Sequence, residues 1–557
     1  MSASVTDPGV ESRLATPEGL VLETFGMPLL AHLCATDEET VVARLEAKSE
    51  LPPAAEGIFV DQLVPLAQFV AAQLASSPGL PIASALDVLV RPATGGQSSI
   101  GVALRRAAGG SVPDELVAAV ADDQIKAAVS RMALDAFPLL LVPADLHWAP
   151  PIVSLHHHPQ RKALQGALEA DPELSGMFTI EDPGLGRRGY ISTTLGASFS
   201  IQDVMFGEMM IASAWDTVKM TSKIPSQEDL LKRIQHNVDV LRLASTGKNA
   251  SIPAHLVFTG FTTSENREIT TPWGRLRPLT AWERSLAPAS LEGAVTGTGA
   301  DGDQVTVSYA GEMVLETELP YAIRIDAVPD WASNAMPSWR PMQGHDTLRR
   351  RLEGMQLAAM LSTDREPGSW VTARLAWSWT GNPFGHGGNT GWGDPRGLPG
   401  FMPAVLSFEE CADFEQWATR VDASWTGRID IAVRRLLNAS NARTDMADRL
   451  VDSVIVWENL FGTSQGEPRL RISAALAWLL EGDPAAREEL QVQLKTLYDY
   501  RSKIVHGSNY DESTLGERAN EALTYARDAM RVLIKDRPDV LGLAHGAARS
   551  LRMIMGG

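Results

Sequence analysis

Cysteine is nearly missing: Cys34 and Cys411 are the only two in 557 residues. Two thiols cannot build a disulfide framework or a cysteine-ligated zinc cluster, and both are read as small buried side chains. No apolar run approaches the roughly 18 residues of a membrane span. The greasiest stretch, Phe137 to Val142, already contains Pro138. The opening MSASVTDPGVESR lacks the basic and apolar regions of a secretory signal. G-x-x-x-x-G-K-[ST] and H-E-x-x-H are also missing, which removes the usual anchors of nucleotide hydrolysis and zinc peptidase chemistry. These absences lead to the expectation of a cytoplasmic chain with no membrane partner, no cofactor and no metal.

Positive charge is short overall, with a formal net charge of −19. That excludes a protein coating nucleic acid through bulk charge. The deficit is uneven. From Asp430 onward, 17 Lys and Arg face 18 Asp and Glu, so nearly all the excess acid lies in residues 1–429. If one part handles a polyanion, it is the nearly neutral, Arg-rich last quarter.

The chain reads as an α+β multidomain protein. Residues 1–18 form a polar arm, 19–250 a mainly helical region, 251–335 a small β-rich region, 336–424 an α/β region, and 425–557 an all-α antiparallel bundle. In the helical region, Ile58–Leu74 repeats apolar residues at helical spacing, and Ser226 starts an amphipathic helix with Leu230, Ile234, Val238 and Leu241 as its stripe. Period-two segments at His255–Phe261, Val305–Tyr309 and Ala322–Ile325 suggest one small antiparallel sheet with a glycine-rich turn at Gly297–Gly302. A helix at Thr347–Leu361 and a strand at Trp370–Trp379 lead to the loop Gly381–Pro403, which holds eight glycines and four prolines. Trp425–Gly427 looks like a hinge. Beyond it lie helices at Ile429–Ala442, Met446–Phe461 and Arg469–Glu481, the last closed by Gly482 as its C′ residue. Asp483-Pro484 then starts a fourth, ending at His506-Gly507, and Ser513–Lys535 is the fifth.

Several motifs do not carry chemistry. Gly184-Leu185-Gly186-Arg187-Arg188-Gly189 matches G-x-G-x-x-G but leads into a strand-like run, whereas a dinucleotide site needs it to open a helix. His156, His157 and His158 are consecutive, so their side chains cannot converge on one metal, and they read as a polar loop. Trp370, Trp377, Trp379 and Trp392 could stack on a ligand, but large aromatics are more often core.

The fourth helix of the bundle differs. Leu490, Leu494, Leu497, Tyr498 and Val505 give it a core face, yet Arg501 and His506 sit at its end. Five residues span about 140° on an ideal helix, so the two converge only through the reach of arginine or a distorted last turn. The structural alternative is a histidine favoured at a helix C-terminus and a surface arginine.

The run LYDYRSKIVHG (497–507), together with DRLVD (448–452) leading to VWENLFG (456–462) and RLRISAALAWLL (469–480), resembles the HEPN superfamily, specifically the ApeA-like HEPN domains of bacterial anti-phage defence proteins. The resemblance covers roughly the last 130 residues; the first 330 match no known pattern. It implies a HEPN-type helical bundle and, on the R-x4–6-H motif, a metal-independent ribonuclease that works as a homodimer or a higher homo-oligomer. Arg501 and His506 match that motif. The position after arginine, often Asn, Asp or His in active members, is Ser502, whose hydroxyl can still donate to phosphate.

The chemistry suits these residues. Histidine titrates near neutrality and can take the ribose 2′-OH proton. Arginine offers a permanently charged fork to phosphate oxygens. RNA has the 2′-OH and DNA does not, and the products would be a 2′,3′-cyclic phosphate and a 5′-hydroxyl. Ser502, Lys503 and Glu458 are supporting or RNA-binding candidates. Glu458 lies on the apolar stripe of its helix and needs a partner. That partner is either Arg501 or, as the more ordinary structural reading, another arginine of the bundle. The leading expectation is an endoribonuclease in abortive infection, with residues 1–424 as a sensor of a phage-derived trigger that restrains the bundle. The alternatives are a non-catalytic HEPN module that dimerises and binds nucleotide, RNA or protein, and a recognition protein using the loop 381–403.

Overall fold

A computed structural model describes residues 16–93, 98–142, 153–182, 186–195, 198–288, 291, 294–298, 304–308, 310–326, 343–363, 370–384, 389–390, 403–462 and 467–556. The chain is α+β, and it divides into two compact units that alternate along the sequence instead of following one another. Unit 1 comprises Met1–Ile252, Pro320–His345 and Gly381–Gly388; unit 2 comprises Pro253–Leu319, Asp346–Thr380 and Asn389–Gly557.

Unit 1 is mostly helical. Its helix Pro53–Ser76 passes through a π turn at Phe59–Leu63, just before Pro65, whose ring and missing N–H do not fit an unbroken α-helical ladder. Ala55, Phe59, Leu63, Ala67 and Val70 are its buried face. This 24-residue helix is long and apolar enough, by length and composition alone, to cross a membrane, which corrects the expectation that no run comes close. Helix α1 (Ile100–Ala107) is capped by Ser99, and α2 (Gln124–Leu140) by Asp123. The helix after Ser226 forms as its spacing requires, with Leu230, Ile234, Val238 and Leu241 buried.

A four-stranded antiparallel sheet completes unit 1. Its centre, Gly186–Thr193, pairs with Ile180–Asp182, Ser198–Gln202 and Ile323–Asp326. The last strand was expected in the sheet of residues 251–335; local periodicity identifies a strand but not its partner. Two glycines of the G-x-G-x-x-G match open this sheet. Gly186 has φ 84°, and a Cβ on Gly189 would lie 1.7 Å from the Met177 carbonyl oxygen. Close backbone packing explains them without a pyrophosphate. The three histidines are not a polar loop: Val153–His157 is a 3₁₀ turn and His158 is buried.

Unit 2 contains a six-stranded sheet in the order Asn389–Thr390, Arg374–Thr380, Ala250–Thr259, Met313–Tyr321, Gly274–Pro278, Ile269–Thr271. The segments Ala294–Thr298 and Gln304–Ser308 form a separate hairpin. Trp377 and Trp379 are core. The expected turn at Gly297–Gly302 and loop Gly381–Pro403 lie largely outside the described residues, as does Trp392.

Residues beyond 430 are helical, including α3 (Met446–Phe461), α4 (Pro484–Val505), α5 (Leu515–Lys535) and α6 (Gly546–Met555). The last was not anticipated. α3 packs against α4, α5 and α6. These helices do not have a core of their own: Leu256, Leu315, Met360 and Phe414 belong to the same buried cluster as Trp457, Leu497 and Met530. Trp425, read as a hinge, is buried in that cluster, and its indole N–H donates to Asp430 at 2.7 Å. Gly482 does not close its helix either. Pro468–Leu480 runs into extended Glu481 (φ −129°, ψ 123°), and Arg487 donates to the carbonyls of Glu481 and Gly482 at 3.0 and 2.9 Å. Those two carbonyls lie past Leu480, the last helical residue, and Gly482 does not take the left-handed conformation of a C′ cap.

Candidate functional site

Helices α3 and α4 position the candidate residues. α3 begins at the N-cap Asp445, whose carboxylate accepts from Asp448 N–H, and it buries Leu450, Val454, Trp457 and Leu460. α4 begins at Asp483, which accepts from Ala485 and Ala486 N–H at 3.0 and 2.9 Å, with Pro484 at the first helical position. Leu494 and Leu497 anchor it in the core. That anchoring brings Tyr498 and Arg501, one helical turn apart, against the last turn of α3.

Glu458 is half-buried in that last turn and holds both. Arg501 Nη2 donates to Glu458 Oε2 at 3.2 Å, and Tyr498 Oη donates to Glu458 Oε1 at 2.7 Å. Glu458 therefore pairs with Arg501 and not with another arginine of the C-terminal helices. The arginines Arg435 and Arg443 instead serve the buried Asp452, at 2.6 and 2.8 Å. Arg501 Nε is buried and has no hydrogen-bond partner among the described residues. Tyr498, missed as a polar group by the sequence reading, was legible only as the residue three before Arg501.

Burial, and then the bond to Glu458, push the Tyr498 phenol up to about 12. An unfolded tyrosine loses its proton near ~10. Because the folded value is the higher one, this contribution to stability is whole below pH ~10 and fades as pH rises through the folded value. Tyr498→Phe should therefore flatten the alkaline limb of the stability curve in urea titrations. An identical slope in both proteins would show that the phenol loses its proton no later in the folded chain than in the unfolded one.

His506 stands differently. It is the C-cap of α4 (φ −92°, ψ 3°), with its backbone N–H on the Ser502 carbonyl at 3.0 Å. Gly507 follows with φ 66°, and Ser508 N–H closes on the Lys503 carbonyl at 2.9 Å, so the helix ends in a left-handed glycine turn. The His506 side chain is exposed and has no polar partner among the described residues. No hydrogen bond or ion pair joins it to Arg501 within the chain. The Ser502 hydroxyl also bonds nothing described, while Lys503 Nζ sits 5.6 Å from the Tyr500 ring centroid, with Arg518 at 5.7 Å from the same ring.

The structure thus unites Arg501, Glu458 and Tyr498 and leaves His506, Ser502 and Lys503 on the accessible end of the same helix. No family model, curated protein or solved structure matches this chain. Among the described residues, no group of three or more His, Cys, Asp or Glu side chains is placed to hold a metal ion.

Proposed function

We propose that residues 425–557 are a HEPN-type bundle and that the chain is a metal-independent endoribonuclease of anti-phage defence, acting in the cytoplasm as a homodimer. One observation carries the reading: Arg501 is fixed by Glu458 with part of its fork uncommitted, while an unpaired imidazole, His506, stands at the exposed end of the same helix. In this reading His506 removes the ribose 2′-OH proton, and the new oxygen–phosphorus bond closes a 2′,3′-cyclic phosphate as the 5′-oxygen leaves and takes a proton. Arg501 stabilises the charge on the phosphoryl oxygens, held in place by Glu458. Ser502 and Lys503 contact the neighbouring backbone. The homodimer supplies what one chain lacks, because two copies of α4 around a two-fold axis can place the partner's histidine beside Arg501. The remaining residues act as the sensor that restrains the site until a phage product arrives.

The second reading is a non-catalytic module binding RNA, nucleotide or protein. It is favoured by the missing link between Arg501 and His506 within one chain, and by Ser502 in place of Asn, Asp or His. Incubating the purified full chain with total RNA in EDTA separates the two. Cleavage leaving 2′,3′-cyclic phosphate ends is expected, from a species twice the chain mass in light scattering. Intact RNA, or cleavage that requires Mg²⁺, would favour the module.

A further inference from the structure

Unit 1 holds a cleft of about 740 Å³ that is open to solvent on one side, far from any residue assigned above in the sequence. Its polar walls include Ser99 at the start of α1, Arg106 at the end of α1, Asp114 at the start of the short helix Asp114–Ala118, Arg131 and Asp135 on α2, and His158. The volume lies within the roughly 300–1,000 Å³ of small-molecule sites.

The floor is chemically closed. Asp135 is 3 % exposed; its Oδ1 accepts the Ser99 N–H at 2.8 Å, and its Oδ2 lies 3.0 Å from His158 Nε2. His158 Nδ1 in turn accepts the Gln160 N–H at 3.2 Å, which places the ring proton on Nε2, facing the carboxylate. The buried anion is thus satisfied by the protein, and both imidazole nitrogens are used.

The rim is open. Asp114 takes Arg131 Nη1 on one oxygen at 3.1 Å and Arg106 Nη2 on the other at 2.5 Å. One carboxylate therefore clamps two guanidiniums side by side. Each has about five N–H donors and, among the described residues, spends one of them on Asp114, which leaves donors to offer a ligand. The two side chains are 33 % and 42 % exposed, and the rim carries one more cation than anion. A pair of planar, permanently charged forks held at fixed separation is the arrangement that recognises a phosphate, whose three outer oxygens can bridge them.

We propose that this cavity binds a phosphate-bearing small molecule of nucleotide size, with its phosphate on Arg106 and Arg131 and its remainder against Val90, Pro92 and Pro159. The site is independent of the ribonuclease reading. Asp114 is the positioning residue: it fixes the two arginines before the ligand arrives, which lowers the ordering cost of binding.

Calorimetric titration of the full chain with AMP, inorganic phosphate and adenosine tests the assignment. AMP should bind, phosphate should compete with it, and adenosine should give no heat. Arg106→Gln/Arg131→Gln should weaken AMP by about tenfold or more, as expected for losing charged hydrogen bonds, with the ligand-free melting temperature unchanged because both side chains are partly exposed. If that double variant does not fold, Arg106→Gln alone gives the same comparison. No heat with millimolar AMP and phosphate, adenosine binding as well as AMP, or a folded variant that binds AMP like the natural chain would each overturn the proposal.

Discussion

Replacing His506 with alanine should abolish RNA cleavage while leaving the melting temperature where it was. One general acid–base group typically supplies about 10² to 10⁴ in rate, a loss visible in any gel assay. The fold should not notice, because the imidazole is exposed, has no described polar partner, and follows the last helical residue of α4. Arg501→Lys should damage cleavage as well: an ammonium keeps the charge but cannot both hold Glu458 and present a planar fork to phosphate. Full activity in His506→Ala would remove histidine from the mechanism and leave α4 as a binding surface.

The largest stability effect should come from Arg549→Ala. Arg549 is 1 % exposed, on α6, and its hydrogen bonds among the described residues all go to carbonyls. Nε donates to Leu460 at 2.7 Å, Nη2 to Asn459 at 2.8 Å and Nη1 to Leu543 at 3.1 Å. Two of these acceptors belong to the final turn of α3, where carbonyls have no intrahelical donor. They immediately follow Glu458, so the same arginine that closes the helix also fixes the turn carrying the carboxylate. Each buried group left unpaired costs about 1–3 kcal/mol, so a total loss on the order of 3 kcal/mol is expected after partial relaxation. Arg549→Lys should recover part of it. A change below about 1 kcal/mol in denaturant titration would mean that water or a neighbour replaces the guanidinium.

Residues whose partners are close in sequence were readable in advance. Asp483-Pro484, Ser226 with Leu230 to Leu241, and the bounds of Met446–Phe461 all follow from capping chemistry and three- and four-residue spacing. What failed was anything decided at long range. Ile323–Asp326 reads as a strand, but nothing in its four residues says that it pairs with Gly186–Thr193. His158 and Asp135 are 23 positions apart, and Arg549 is 89 from Leu460. Glu458 was legible as a buried carboxylate needing a cation; which arginine of the C-terminal helices would answer was not. Gly482 misled because it follows the helix without taking the left-handed turn that a C′ glycine supplies.

The shared core also changes how restraint can be tested. Arg527 of α5 donates to the carbonyls of Met360 and Thr363, and Asn441 to that of Ala373. Cutting at residue 425 would strip these partners and uncover the cluster around Phe414 and Trp417, so a quiet fragment would say nothing about release from control.

Alternation of the two units has a consequence for synthesis on the ribosome. The chain passes between them five times, the last after Gly388. Unit 1 therefore cannot be completed until residue 388 has emerged, roughly 20 to 80 s into translation at typical rates. Unit 2 receives α3 and α4, which bear Glu458 and Arg501, later still. Vectorial, one-after-another folding is closed to this chain: both halves must wait, partly made, for segments that arrive late. The codons for Arg501 and His506 are read only after every part of unit 1 has been delivered, so no nascent chain carries the candidate site without the body proposed to hold it in check.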